Sequence, residues 1–368
     1  MADRFRGRVG LQQRVLPSYR AAFVDALAAA CEGGLSVFAG KPLPTEGIQQ
    51  VEKLQIAHYA QARNRNINSP DSPWFICWQP GFIKWLEAWQ PDALIVEANP
   101  RYFSTPRAIQ WMHAKGRKVI GWGLGAPAIN GPLAIIRQWE RLRLLQSLDA
   151  IIAYSQRGAE QYIQLGLLAQ QVHVAFNAVD SAPITAPPIR QASFPGRPTI
   201  LFIGRLQARK RVDLLLQASA SLNSNLQPDL IIIGDGPARE ELELLTHQIY
   251  PLAKFIGAKQ GAELEPYFAR ADLFVLPGTG GLAIQQAMAH GLPVIVAGGD
   301  GTQDDLVRDE NGWQVQPDDL PALIALLTQA LSDPARLRQM GDASYRIVAE
   351  EINIESMVRV FVQVLNSL

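Results

Sequence analysis

Cysteine is almost missing from this 368-residue chain, which holds only Cys31 and Cys77. Two isolated cysteines make no disulfide framework and no zinc spacing, a usage that fits a reducing cytoplasm. Histidine is also sparse. The five at positions 58, 113, 173, 247 and 290 never pair at ligand spacing, so no metal is expected. No apolar run approaches the ~20 residues that span a bilayer. The ends lack a charged region followed by an apolar one, so no signal peptide is expected and the cytoplasm is the expected location. Net charge is absent as well, with 34 Lys+Arg against 34 Asp+Glu, and no nucleic-acid partner is expected. The remainder, 48% hydrophobic and 18% charged, describes a globular protein long enough for two ordinary domains.

The neutral total hides an asymmetry. Residues 1–180 carry 19 Lys+Arg against 13 Asp+Glu, a net of +6, and residues 181–368 carry 15 against 21, a net of −6. The trend begins with Arg4, Arg6, Arg8, Arg14 and Arg20. A basic half can attract an anionic acceptor, or make a peripheral contact with the inner face of an anionic membrane. Attraction between domains and plain solvation explain it equally well. Seven of the eight tryptophans lie between Trp74 and Trp139. Trp85 and Trp89, four apart on one helix, have ordinary core spacing. Most of the seven read as core, while a few could line a groove for a sugar or a lipid-linked acceptor.

Strand, turn and helix signals alternate along the chain. The first half reads as a strand near Phe5 to Val9, a loop from Gly10 to Pro17 and an amphipathic helix bearing Tyr19, Phe23, Leu27 and Ala30. Gly10 falls at that strand-to-helix turn, where backbone could approach a ligand. Leu35 to Phe38 is a strand. Residues 41–73 read as irregular, with one short helix around Glu46 to His58. Further strands are read at Ala93–Val96, Lys118–Trp122, Ala150–Tyr154 and Val172–Val174. Helices between them run from Gly81, Thr105, Leu133 and Gln156, with Thr105 as cap before Pro106. Pro183, Pro187, Pro188, Pro195 and Pro198 mark a linker over 183–198. The alternation then restarts over 199–353, after a first domain over 1–182. Two doubly wound parallel sheets are expected.

Four strands of the second half end in glycine, at Gly204, Gly234, Gly257 and the turn Gly278-Thr279-Gly280-Gly281. Parallel sheets bind ligands beyond the carboxyl ends of their strands, and a helix N-terminus favours phosphate. The segment GRLQARKR, 204–211, places Arg205 and Lys210 at such an edge. Cations beside a helix N-terminus oppose its dipole, so a bound diphosphate would compensate them.

Gly204-Arg205-Leu206 with Lys210, Gly234-Asp235-Gly236-Pro237, Gly257 and GLAIQQAMAHGLPVI (281–295) resemble the donor half of retaining glycosyltransferase family 4. The likeness covers roughly residues 195–320. LPSYRAAF (16–23), PDALIVE (91–97) and the run from Tyr154 into NAVD (ending at Asp180) resemble its first half more loosely. The resemblance implies a GT-B fold, two Rossmann-like domains facing across a cleft, with the last helix, about 354–368, packing back on the first. It implies a sugar nucleotide on the second domain and a glycan or lipid-linked acceptor on the first; the donor is expected to be a UDP-sugar or a GDP-sugar, with UDP ranked first. Arg205 and Lys210 match the diphosphate-binding pair and would stabilise the charge of the leaving group. The remaining donor residues it implies are Gly10, Gly204, Gly234, Gly257, Ala258, Thr279, Gly280, Gly281, Leu282, Ala283 and Gln286. Glu97, Asn99 and Gly123 are the acceptor-side candidates. The family usually has two glutamates across the turn; Gly278 and Gln286 stand there instead. An active variant is expected, with a non-catalytic sugar-nucleotide-binding protein as the alternative.

Overall fold

The computed structural model describes every residue except 1–3, 71, 73, 130, 132, 281 and 300. It divides into two compact units, Met1–Val179 with Ile354–Leu368, and Asp180–Asn353. The first contains strands β1 (Val9–Val15), β2 (Leu35–Gly40), β3 (His58–Gln61), β4 (Arg65–Ile67), β5 (Ile76–Trp78), β6 (Ala93–Glu97), β7 (Lys118–Gly123), β8 (Ala150–Ala153) and β9 (Val172–Val174). Its helices are α1 (Ala21–Ala29), α2 (Phe82–Trp89), α3 (Thr105–His113), α4 (Ala134–Gln146) and α5 (Gln156–Gln164). The second contains β10 (Thr199–Ile203), β11 (Asp229–Ile233), β12 (Ala253–Gly257), β13 (Leu273–Leu276), β14 (Val294–Ala297) and β15 (Gly312–Val315). Around them lie α6 (Val212–Ser221), α7 (Arg239–Ile249), α8 (Glu265–Arg270), α9 (Leu282–Ala289), α10 (Thr302–Leu306), α11 (Leu320–Ser332) and α12 (Pro334–Arg346). The last helix, α13 (Ile354–Ser367), belongs to the first unit.

Each unit is built on one parallel sheet. The second runs β12-β11-β10-β13-β14-β15, the order in which a doubly wound sheet reverses between its first and fourth strands. The first runs β3-β2-β1-β6-β7-β8-β9 and reverses between β1 and β6. Apart from Thr199 and Asp229 at their starts, the central strands of the second sheet are apolar because helices cover both faces. Leu230, Ile232, Ile233, Leu273, Phe274 and Val275 are all fully buried. One face of the first sheet is closed by α1 and α13 together. The ring of Phe361 on α13 lies 5.1 Å from Phe23 and 5.3 Å from Trp122. Burying an aromatic residue of this kind contributes about 2–3 kcal/mol.

Several elements differ from the sequence expectations. β1 occupies the stretch read as a loop, and Phe5 makes only an isolated bridge with Cys31. The polar pair Gln12 and Gln13 hid this strand. Both are buried there, and Gln79 accepts from Gln12 Nε2 at 2.7 Å and donates to the Gln13 carbonyl at 3.0 Å. The helix expected around Glu46 to His58 is absent, apart from a single 3-10 turn at Pro44–Glu46. Asp25 instead accepts the backbone N–H groups of Gln55, Ile56 and Ala57 and fixes a turn that leads into β3. Thr105 caps nothing; its hydroxyl is buried without a partner. The small antiparallel pair β4–β5 and the edge strand β15 carried no expectation.

Residues 183–198 hold no helix or strand, yet they are fastened to the second unit. The Arg190 guanidinium donates to the carbonyls of Phe268, Ala271, His290 and Gly291, and Tyr345 donates to the Thr185 carbonyl. No helix among the described residues is long and apolar enough to cross a membrane.

Candidate functional site

In the second unit the sheet reverses between β10 and β13, and the loops that leave these strands meet. The loop after β10 turns through a 3-10 segment, Ala208–Lys210. The turn after β13 leads into α9. Two hydrogen bonds join the two loops. Thr279 N donates to the Arg209 carbonyl at 3.0 Å, and Lys210 Nζ donates to the Thr279 carbonyl at 2.7 Å. Gly278 lies under this crossing. A Cβ there would stand 2.2 Å from the Arg209 carbonyl oxygen and 2.5 Å from Lys210 Cα. Gly280 has φ +83°, and a Cβ on it would lie 3.0 Å from Lys210 Nζ and 3.7 Å from Arg209 Nη1. The space beside Gly280 thus faces two cations and the N-terminus of α9. Fixed positive charge converging from three sources suits an oxyanion.

Lys210 is 9% exposed. Burial pushes its ammonium down to about 8, and neighbouring Arg209 adds to that shift. Lys210 is thus a buried cation held in a loop crossing, not a solvated surface lysine. The third cation of the run, Arg211, is turned away and pairs with Asp213 and Asp318. Arg209 carried no expectation, although it belongs to the same cationic run as Lys210. A run of three cations does not say which of them face the turn.

The other donor-side residues separate into groups. Arg205 is exposed on the β10 loop. Gly204 sits against Phe202 and the Lys210 side chain. Gly234 is glycine for a reason internal to the fold: with φ +143°, its Cβ would lie 1.9 Å from the Gly204 carbonyl oxygen. Gly257 has φ +83° at the end of β12, with Ala258 exposed beyond it. Leu282 and Ala283 open α9, while Gly281 lies outside the described residues. Gln286, one turn further on, donates to the Asp180 carboxylate. The other oxygen of Asp180, Oδ2, is buried with no partner, and burial raises this carboxyl despite Gln286 and His290. Gly10 is corrected: it lies inside β1 at no turn, and its Cβ would meet the Trp85 ring at 2.8 Å.

The first unit repeats the arrangement at its own reversal, where β6 ends. Glu97, Asn99 and Gly123 line one cavity of about 700 Å³. Glu97 Oε1 accepts from Arg14 N at 2.6 Å, and the Tyr102 hydroxyl donates to the same carboxylate. Burial outweighs these bonds and pushes the Glu97 carboxyl up. Gly123 is required by packing, since a Cβ there would lie 2.4 Å from the Tyr162 hydroxyl. Arg20, on the turn before α1, is 5% exposed and lies over Trp122 and Tyr154, at 4.9 and 5.4 Å. Both rings line the cavity. Arg20 was not singled out from sequence; a lone arginine before an apolar helix gives no sign that it turns inward.

Known proteins give independent findings. Anabaena Alr3699/HepE, solved in complex with UDP, matches with TM-score 0.70 at 17% identity, over 98% of this chain and 100% of that one. Sucrose-phosphate synthase from Thermosynechococcus elongatus matches with TM-score 0.71 at 19% identity, over 98% and 99%. With two Rossmann-like units in one chain, these matches define the fold as GT-B. Within it, residues 188–347 match the family model of glycosyl transferases group 1. Sulfoquinovosyl transferase SQD2 of Arabidopsis thaliana is 32% identical over 156 residues, 41% of this chain and 30% of that protein. A GDP-mannose-dependent alpha-mannosyltransferase of Mycolicibacterium smegmatis is 36% identical over 157 residues, 42% of this chain and 39% of its own. The chain therefore matches well under half the length of these relatives.

Proposed function

We propose that the protein is a retaining glycosyltransferase that moves a sugar from a nucleoside diphosphate donor to a hydroxyl of a glycan or lipid-linked acceptor. The observation that carries this reading is the convergence of Lys210, Arg209 and the α9 N-terminus on the glycine turn at Gly280. The two phosphates of a donor are the kind of anion that this arrangement suits. Arg205, Arg209 and Lys210, with the first N–H groups of α9, hold the charge that grows as the sugar–phosphate bond breaks; no metal enters the reading. The acceptor hydroxyl attacks the face from which the diphosphate leaves, and a leaving phosphate oxygen takes its proton. The family match over 188–347 and the names of the relatives support a nucleotide sugar as donor.

UDP is ranked before GDP as the donor nucleotide, and a thermal-shift screen of uridine, guanosine and adenosine diphosphates and their sugars tests the ranking. A ligand bound only by the folded state raises the melting temperature. Replacing Arg205 and Lys210 by Ala should weaken nucleoside diphosphate binding at least tenfold. Unchanged affinity would refute the site.

One observation favours a second reading, a non-catalytic sugar-nucleotide-binding protein. The Arg209–Lys210 backbone fills the space a side chain at 278 would need, and Gln286 is engaged with Asp180. Neither position offers a carboxylate to a donor sugar. Donor binding with no turnover, hydrolysis included, over a broad acceptor panel would establish this reading in place of the first.

A further inference from the structure

The cavity of the first unit holds a second concentration of positive charge. Arg101, Arg137 and Arg141 all line it. None forms an ion pair with a carboxylate among the described residues. Two carboxylates share the cavity. Glu97 is already taken by the Arg14 N–H and the Tyr102 hydroxyl. Glu140 is exposed on α4 and makes no ion pair among the described residues. Arg141 Nη1 is fixed by the Pro127 carbonyl at 2.6 Å, so this guanidinium is aimed rather than trailing in water. Burial lowers the Arg141 pKa, and the nearby charges of Arg137 and Arg101 lower it further. Three crowded cations, none in an ion pair among the described residues, repel one another, and an anion joining them would relieve that repulsion.

The rest of the wall has the opposite character. Phe103, Leu124, Leu133 and Ile136 line the same cavity and are 59%, 41%, 50% and 52% exposed. Large apolar side chains left open around one cavity mark a place where an apolar body lies. Unpaired arginines and open apolar groups therefore share one wall.

We propose that this cavity binds an amphipathic anion: an oxyanion such as phosphate, held by Arg101, Arg137 and Arg141, joined to an apolar body that covers Phe103, Leu124, Leu133 and Ile136. This rests on reading the cavity as the acceptor site, and it names the acceptor class as anionic and partly apolar. A lipid headgroup and a soluble phosphorylated molecule share this chemistry.

Calorimetric titration of the full chain decides the matter with three probes: octyl phosphate, octyl glucoside and inorganic phosphate. Octyl phosphate should bind at least tenfold more tightly than either of the others, because only it has both parts. Arg137→Gln is the cleanest variant, since Arg141 also anchors a loop. It should weaken octyl phosphate roughly tenfold and leave octyl glucoside unchanged, with Arg101→Gln as the second variant should the first melt early. Equal affinity for octyl phosphate and octyl glucoside, or octyl phosphate binding unchanged in both variants, would overturn the proposal. Sedimentation with phosphatidylglycerol vesicles, reduced by Arg137→Gln, would identify a lipid headgroup as the source. Octyl phosphate binding without sedimentation would identify a soluble molecule. Nucleoside diphosphate affinity, measured on the same samples, separates this proposal from the donor-site reading, because each can fail while the other stands.

Discussion

Raising the pH should weaken nucleoside diphosphate binding, and Lys210 sets where. Its ammonium is pushed down to about 8 by burial first and by Arg209 second. A diphosphate beside Nζ favours the protonated form, so the bound-state value lies above 8. The lysine's contribution to affinity is therefore complete below pH 8 and is lost as pH rises through that value. In the free protein roughly nine-tenths of Lys210 is protonated at pH 7 and roughly one-tenth at pH 9. Kd should rise about tenfold across that interval, equivalent to about 1.4 kcal/mol. Calorimetry in buffers of different ionisation enthalpy should also detect proton uptake that grows from about 0.1 to about 0.9 per site. Lys210→Met should bind weakly and lose this slope, and any titration of the nucleotide itself cancels between the two proteins. A wild-type Kd that stays constant from pH 7 to 9, or an equal slope in Lys210→Met, would refute the placement of Lys210 against the phosphates.

The same burial predicts a gain in stability when the charge is removed. Lys210 falls from 10.5 to about 8 on folding, so its cost is present in full below pH 8 and has gone by about 10.5. That cost is on the order of 3 kcal/mol, against about 1 kcal/mol for the lost bond to the Thr279 carbonyl. Lys210→Met should therefore raise the melting temperature by a few degrees at pH 7 and by less at pH 10, as followed by calorimetry. Gly278→Ala should destabilise by about 1–3 kcal/mol and weaken nucleotide binding, because its Cβ would press on the Arg209–Lys210 backbone; chemical denaturation and titration measure the two effects. Gly278→Glu should be no better than Gly278→Ala in either assay. Phe361→Ala should cost about 3–5 kcal/mol through the cavity left between Phe23 and Trp122, read from the denaturant midpoint.

The parallel strands of the second unit were legible because fully buried strands leave unbroken apolar runs between glycine turns. Ile200–Phe202 and Leu273–Leu276 show nothing else. β1 was not legible, because its buried glutamines depend on Gln79, 66 and 67 positions away in sequence. The edge strand β15 lacks the signal for another reason: Trp313 is partly exposed and Gln314 exposed between buried neighbours, which shortens the apolar run. At the candidate donor site the residue types were readable, but their causes were not. Gly234 answers a neighbouring carbonyl, Gly278 answers the Arg209–Lys210 backbone, and Gly280 faces Lys210 Nζ and Arg209 Nη1. Such distinctions belong to loops from different strands, and no spacing within one segment encodes them. The inward turn of Arg20 and the placement of Arg209 were illegible likewise, since a side chain's direction is fixed by what surrounds it.

The return of α13 to the first unit has a consequence for how the chain is made. Synthesis delivers the whole contiguous stretch Asp180–Asn353 before the last helix emerges. The second unit, contiguous in sequence, needs no part of α13, whereas the first lacks Met357, Phe361 and Leu365 from its core until the chain has run through the second. Until those residues arrive, the surface around Phe23 and Trp122 stands open to water and to other chains. The first unit, although most of its elements precede the second, is completed only after it, and a stop before α13 leaves an apolar wound for chaperones or proteases to find.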